Sequence, residues 1–388
     1  MLKTLATFAA GALALLALAG GLGAVTPARA APMAESDAVL VDIAAGRGSG
    51  SGVDTAGWMG ALNATLLNKR LRDIRWPGAH DAGTGGFHKP YVVVHDRKAN
   101  GGLYKAWEYL HNNPLFPWLA NLLSDRIALL GQAQPFDIGN QLRAGARYFD
   151  CRMFKEASGD VVLTHTVVGQ SAMSVAADVR AHLRAHPNEL VILHERQREG
   201  FADLADYMDF LANFTQALGG PDVLVPASAS WAATYGEIVA TAQPGRVIYI
   251  MCHESKSGDP PCQTLGAPAG QGKYWSPSTA TTMWPNAQDS ATIQTRFDKQ
   301  MAEWAAPAYN NTLCVAQLVY SPTDKQYVEF AILDKSLKGE GAKLRAALPS
   351  QITGWGTTAA TAHGVNVLMY DFVDDPATAQ AIIALNSA

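Results

Sequence analysis

Six residues able to do chemistry fall at the same place in successive apolar runs: each comes at the end. His80 and Asp81 close "DIRWPGAHD", Asp150 and Arg152 close "ARYFDCRM", His165 closes "VVLTHT", and Asp371 follows "VNVLMY". An imidazole exchanges its proton near neutral pH, so two of them can divide acid and base work. One histidine can take a proton from an attacking hydroxyl while the other protonates a departing oxygen. Arg152 stands two residues after Asp150, on the same side of an extended strand. Its guanidinium can bind the non-bridging oxygens of a phosphate, where charge builds up. Two histidines and one arginine suffice to cleave a phosphodiester without a metal. Neighbouring side chains on an extended segment point opposite ways, so His80 and Asp81 are expected to face apart and serve different partners.

Plainer explanations exist for each residue alone. A lone histidine in an apolar run is usually a satisfied core or surface group, and an Asp-x-Arg on one strand is often an internal ion pair. An adjacent His-Asp also suits HD-type metal phosphohydrolases, but those pairs sit on helices, and this one follows a β-like run. The number of such features ending strands together favours chemistry.

The elements that must hold them are short β-branched or aromatic runs, with "ELVILHERQ", "RVIYIMCHE" and "LCVAQLVYS" completing the set. Between many of them lie stretches such as "MSVAADVRAHLRAHP" and "FADLADYMDFLANFTQAL", apolar at every third or fourth position. Strands alternating with helices predict an α/β fold with a parallel sheet covered on both faces. Polar residues at the strand ends select a (β/α)8-type barrel, whose site lies at the C-terminal ends of its strands, and a distorted or incomplete barrel is within this expectation. A doubly wound sheet fits less well, because "PGAHDAGTGG" contains neither GxGxxG nor GxxxxGK[ST]. Two stretches read as insertions on the strand-end side: residues 88–134, and a Gly/Pro/Ser-rich segment over 255–300 carrying Tyr274, Trp275 and Trp284.

Of the 388 residues, 48% are hydrophobic and 16% charged, ample for a large core. A net charge of -4 offers no basic face for nucleic acid. Lys3, an apolar run and "ARA" at 28–30 read as a signal peptide over residues 1–30, with a membrane anchor as the rival reading. A loosely ordered arm over 31–57 and a catalytic domain over 58–388 follow, in a chain expected to be secreted or periplasmic. Four cysteines are too few for a disulfide framework. Cys252 and Cys262 bracket a short loop they could close, whereas Cys151 and Cys314 read as buried thiols.

"IRWPGAHDAGT", "QLRAGARYFDCRM", "VVLTHT", "HPNELVILHERQ" and "VLMYDFV" together resemble the successive blocks of the X-domain of phosphatidylinositol-specific phospholipase C, in its bacterial, secreted branch. The resemblance implies that His80 is the general base acting on the inositol 2-hydroxyl and His165 the general acid for the diacylglycerol oxygen. It implies that Asp371 supports the base and that Asp81 pairs with the acid. Arg152 stands where calcium-dependent relatives carry an acidic ligand, which implies a metal-independent enzyme without a cofactor. Asp150 and Arg196 are helpers by the same resemblance, with Glu195 the alternative to Arg196 if the register moves by one. His253 and Trp275 are candidate substrate contacts in a region that does not align. Ala79, Ala82 and Thr166 depart from the family, which often has Ser or Thr around the first histidine and Gly after the second.

The activity implied is a phospholipase C-type cleavage of phosphatidylinositol, or a glycosylated form, to diacylglycerol and inositol 1,2-cyclic phosphate. The expected protein is a monomer touching membranes only peripherally. Tyr104, Trp107, Tyr109, Phe116 and Trp118 in the first insertion suit either a bilayer interface or packing onto the barrel. A non-catalytic head-group-binding barrel and a metal-dependent glycerophosphodiesterase are the competing readings.

Overall fold

Among the described residues nine strands form one sheet, of which seven run parallel in the spatial order β6-β5-β2-β1-β9-β8-β7. They are β1 (Trp76–Ala79), β2 (Tyr148–Lys155), β5 (Val191–Glu199), β6 (Val247–Ile250), β7 (Ala280–Met283), β8 (Leu313–Leu318) and β9 (Val367–Tyr370). The computed structural model describes residues 54–88, 92, 102–113, 117–240, 245–252, 272–323, 326–327, 329–330, 333, 335–359 and 364–387. The expected signal peptide, nearly all of the arm, Phe116, His253 and Cys262 lie outside the described residues.

Below the strand ends the inner face of the twisted sheet is apolar. Trp76, Tyr148, Ile192, Ile248, Val315 and Val367, from six different strands, belong to one buried cluster. Burying each such side chain contributes about 1.5–3 kcal/mol. Their neighbours in sequence, among them Phe149, Leu193, Tyr249, Cys314 and Leu368, point outward into a second cluster. That outer cluster takes in the apolar stripes of α4 (Ala172–Ala185) and α5 (Leu204–Leu218), helices whose N-termini are capped by the Ser171 and Asp203 side chains. The period of two along each strand therefore separates barrel interior from helix layer.

Closure is incomplete. Among the described residues β6 and β7 do not pair, and Trp275 stands beside β6 instead, bridging to Ile250. Its indole is 1% exposed, packs against Trp231 and donates to the Val225 carbonyl at 2.9 Å. Trp275 is thus a packing residue of the gap between two strands, which corrects its candidacy as a substrate contact: a sealed indole has no face for a ligand.

Two other expectations are corrected. "VVLTHT" does not form a parallel barrel strand. It is β3 (Val161–His165), antiparallel to the end of β2 and continued by β4 (Val167–Ser171) as a hairpin standing above the barrel rim. A two-strand ribbon and a barrel strand share one apolar pattern, so the run alone could not separate them. The 255–300 segment is not wholly an insertion either: it contains β7 and the start of α6 (Ser290–Trp304). The first insertion carries α1 (Gly102–His111) and α2 (Pro117–Gly131), which pack on each other.

Candidate active site

Left-handed turns set the geometry of three strand ends. β1 stops at Ala79, and Asp81 then takes φ 44, a conformation uncommon for a residue with a side chain. Thr166 after His165 has φ 66, and Phe372 after Asp371 has φ 57. Backbone strain of this kind collects where a site over-determines the chain. The turn at Asp81 corrects the expectation that His80 and Asp81 face apart. Leaving the extended conformation swings Asp81 round, so that its Oδ2 lies 3.5 Å from His80 Nε2.

Asp81 is consequently the hub. The same Oδ2 lies 3.3 Å from His165 Nδ1, and Oδ1 lies 2.5 Å from Arg152 Nε. Both imidazoles and the guanidinium therefore converge on one buried carboxylate. His80 Nδ1 is 2.8 Å from Asp371 Oδ1, while its Nε2 is 3.3 Å from Arg152 Nη2. Arg152 can only donate, so neutral His80 carries its hydrogen on Nδ1, toward Asp371, and presents a lone pair at Nε2. Asp150 lies beneath: its Oδ2 accepts from the Asp81 backbone N–H and lies 3.3 Å from Arg152 Nη2. The upper edge is open, with the His80, Arg152 and His165 side chains 14%, 19% and 26% exposed.

Burial of His80 disfavours its charged form, but Asp81 and then Asp371 outweigh burial and Arg152, raising its pKa to about 8. Burial alone would raise Asp81. Arg152, His165 and His80 prevail and hold its carboxyl below the usual range.

Arg196 and Glu195 differ in their surroundings on β5. Cys151 pairs with Glu195 and Arg152 with Gln197, which leaves Arg196 in a bulge. Its charge lowers the carboxyl of Asp81 and disfavours the charged form of His194. Glu195 faces out, where Tyr207 Oη donates to it at 2.5 Å among the aromatic residues under α5. His194 forms the floor, with Nδ1 2.8 Å from the Tyr148 hydroxyl. Burial, then Arg196, drives its pKa down to about 3, so it is neutral at working pH.

Sequence reasoning missed the strap that ends the first insertion. The Gly131 carbonyl is 2.8 Å from His165 Nδ1. Three residues on, Gln134 Nε2 donates to the carbonyls of His80 and Tyr370, and its Oε1 accepts from the Val373 N–H. Thr84 Oγ1 accepts from the N–H groups of Ala133 and Gln134 and donates to the Asp81 carbonyl. "GQAQ" has no motif to flag it. Of the remaining cysteines, Cys252 is disulfide-bonded, and Cys151 and Cys314 are free and buried.

His80, Asp81 and Asp150 offer ligand atoms within 4.8 Å of one another, close enough to share a metal ion. The Arg152 guanidinium lies against all three, however, so a cation would have to displace it. The donor set fits a fixed organic cation better than a divalent one.

No family model matches the chain. Two curated proteins are similar over part of it: PI-PLC X domain-containing protein 1 of Homo sapiens is 27% identical over 157 residues, 39% of this chain and 45% of that protein. Its Mus musculus counterpart is 26% identical over 160 residues, 40% of this chain and 43% of that protein. The chain thus spans less than half the length of the curated relatives it matches. Among solved structures, phosphatidylinositol-specific phospholipase C from Listeria monocytogenes superposes with a TM-score of 0.52 at 18% identity, covering 86% of this chain and 99% of that one. The enzyme of the same name from Staphylococcus aureus gives 0.53 at 14% identity, covering 85% and 97%. The chain therefore has the fold of the bacterial phosphatidylinositol-specific phospholipases C, and its sequence resembles the PI-PLC X domain-containing proteins.

Proposed function

We propose that this chain is a metal-independent phosphodiesterase of the phospholipase C type, acting on phosphatidylinositol or a glycosylated form of it. The observation that carries the reading is the convergence of two imidazoles and the Arg152 guanidinium on Asp81 at an open strand-end rim. Arginine supplies positive charge to the phosphate where a metal would otherwise have to sit.

His80 Nε2 removes the proton from the inositol 2-hydroxyl, and Asp371 stabilises the imidazolium through Nδ1. The hydroxyl oxygen forms a bond to phosphorus as the bond from phosphorus to the glycerol oxygen breaks. The electron pair stays with that oxygen, which takes a proton from His165 Nε2. Arg152, steadied by Asp81 and Asp150, binds the non-bridging oxygens, and Arg196 adds a second positive charge on the same side. The products are diacylglycerol and inositol 1,2-cyclic phosphate. Because the nucleophile belongs to the substrate, orientation supplies much of the acceleration.

Peripheral membrane contact is part of the same proposal. Tyr109 on α1 and Trp118 on α2 are 66% and 62% exposed and suit a bilayer interface. Trp107 is a packing residue, stacked on His111 and donating to Ser124 Oγ at 2.7 Å. No described helix is long and apolar enough to cross a membrane. Export by the signal-like N-terminus completes the reading.

The test is product identification. Purified protein is incubated with phosphatidylinositol vesicles, with and without a chelator, and the soluble products are separated by chromatography. Release of cyclic inositol phosphate in chelator supports the proposal. Its absence from every sample contradicts the enzyme reading, and release only without chelator transfers the chemistry to a bound metal.

A further inference from the structure

We infer that Gly131, the last residue of α2, is a positioning residue for His165: its carbonyl fixes the ring through Nδ1 so that Nε2 points at the leaving oxygen. This rests on the proposed role of His165 as general acid and adds a partner supplied by the insertion.

Both groups beside Nδ1 are acceptors. The Gly131 carbonyl lies at 2.8 Å and Asp81 Oδ2 at 3.3 Å. Nδ1 must therefore carry a hydrogen in the neutral ring, which leaves Nε2 as the atom that gains and loses the working proton. Only the Gly131 carbonyl is aligned to form a hydrogen bond with Nδ1, so it, rather than the carboxylate, sets the direction of the ring. The carbonyl belongs to the C-terminal end of a 15-residue helix, where carbonyls lack intrahelical partners and are available to accept.

The close approach needs a glycine. A Cβ on residue 131 would stand 2.8 Å from the His165 backbone oxygen, a separation real Cβ atoms essentially never show. The helix is held there by packing on the same hairpin that carries His165, with Ile127 and Ala128 against Val167 of β4. The strap then continues to Gln134 on the His80 carbonyl, so one short segment touches both sides of the site.

The experiment compares two leaving groups in wild type and Gly131→Ala. Phosphatidylinositol releases an alkoxide that needs a proton, whereas inositol p-nitrophenyl phosphate releases a phenolate that does not. General acid catalysis contributes on the order of 10²–10⁴-fold, so a misaimed acid should lose about 10–100-fold on the lipid and less than about twofold on the nitrophenyl ester. Equal losses on both substrates, or none on either, would overturn the inference. Ile127→Ala, which loosens α2 without touching His165, should give the same selective loss in smaller degree. A readout independent of turnover is the ¹⁵N spectrum of His165: a slowly exchanging Nδ1–H in wild type should exchange at least about tenfold faster in Gly131→Ala. If the protein cleaves neither substrate the phospholipase reading fails, while this spectrum still decides whether Gly131 holds the ring.

Discussion

Two arginines five residues apart, Arg147 just before β2 and Arg152 within it, have opposite surroundings. Arg147, just before the strand, is sealed at the N-terminal end of the barrel. Its Nε and Nη2 lie 2.8 and 2.7 Å from Glu189 Oε2, and its other nitrogen hydrogens go to the carbonyls of Leu142, Ala146, Thr55 and Ala56. Arg152, at the other end, is 19% exposed and meets Asp81, Asp150 and His80. Asp81 is fully buried there, yet neither of its oxygens has an aligned hydrogen bond from a side chain or backbone donor. A charge locked by complete pairing stabilises a fold. A charge gathered among other charges beside an opening is the arrangement expected at the C-terminal end of a parallel barrel.

The nearest histidines repeat the contrast. His182, near Arg147, is driven by burial and then by that arginine to a pKa of about 2. His80, in contact with Arg152, is raised to about 8 because Asp81 and Asp371 outweigh both burial and the guanidinium. The carboxylates make the difference, not the arginines.

The largest expected effect breaks the open end. His80→Ala should lower kcat by about 10²–10⁴-fold while leaving the thermal midpoint within a few degrees of wild type, measured by cyclic phosphate release and by calorimetry. Below about pH 8 the base is increasingly protonated, so kcat/KM should rise with pH up to that region; Asp371→Asn should move the rise to lower pH as well as slow the reaction.

Breaking the sealed end should do the reverse. Glu189→Gln leaves a buried guanidinium without its counter-charge and should destabilise the fold by about 3–5 kcal/mol in urea unfolding, with kcat per folded molecule unchanged. A loss of turnover without a loss of stability would show that the two ends are not separable.

A more gradual effect, smaller at any one pH step, concerns acid. His182 and His194 have folded pKa values of about 2 and about 3, below their unfolded value near 6.5. Between those limits the unfolded chain binds protons that the folded chain refuses, so stability falls with falling pH by about 1.4 kcal/mol per unit for each residue. His182→Gln should flatten that slope in pH-dependent urea melts. His80 acts oppositely: its raised pKa adds stability that is complete below about 6.5 and lost as pH rises through about 8. The smallest effect is at Thr166, a β-branched residue at φ 66. Thr166→Gly should relieve strain and raise stability by about 1 kcal/mol, again read from urea melts.

Much of this arrangement was legible in the chain. The short β-branched and aromatic runs located β1, β2, β5, β6, β8 and β9, and the polar residues closing several of them marked the rim where the site gathers. The hairpin assignment of "VVLTHT" was not legible, because antiparallel and parallel strands share one apolar pattern. β7 was hidden because "ATTM" is half-buried and set in Gly- and Pro-rich surroundings. The convergence of His80 and Asp81 depends on one left-handed backbone angle, and no composition rule reports φ at an aspartate. Gly131 acts through its backbone carbonyl, which every residue has, and the Gln134 amide meets only backbone groups of distant segments, so neither identity gave a signal.

The central claim is that the Arg152 guanidinium does the electrostatic work at the phosphate. Its most direct test is Arg152→Ala assayed on phosphatidylinositol in chelator, with guanidinium ion or calcium then added back. The account predicts a fall of about 10²-fold or more that guanidinium partly restores and calcium does not. Undiminished turnover by the variant, or recovery with calcium alone, would contradict it.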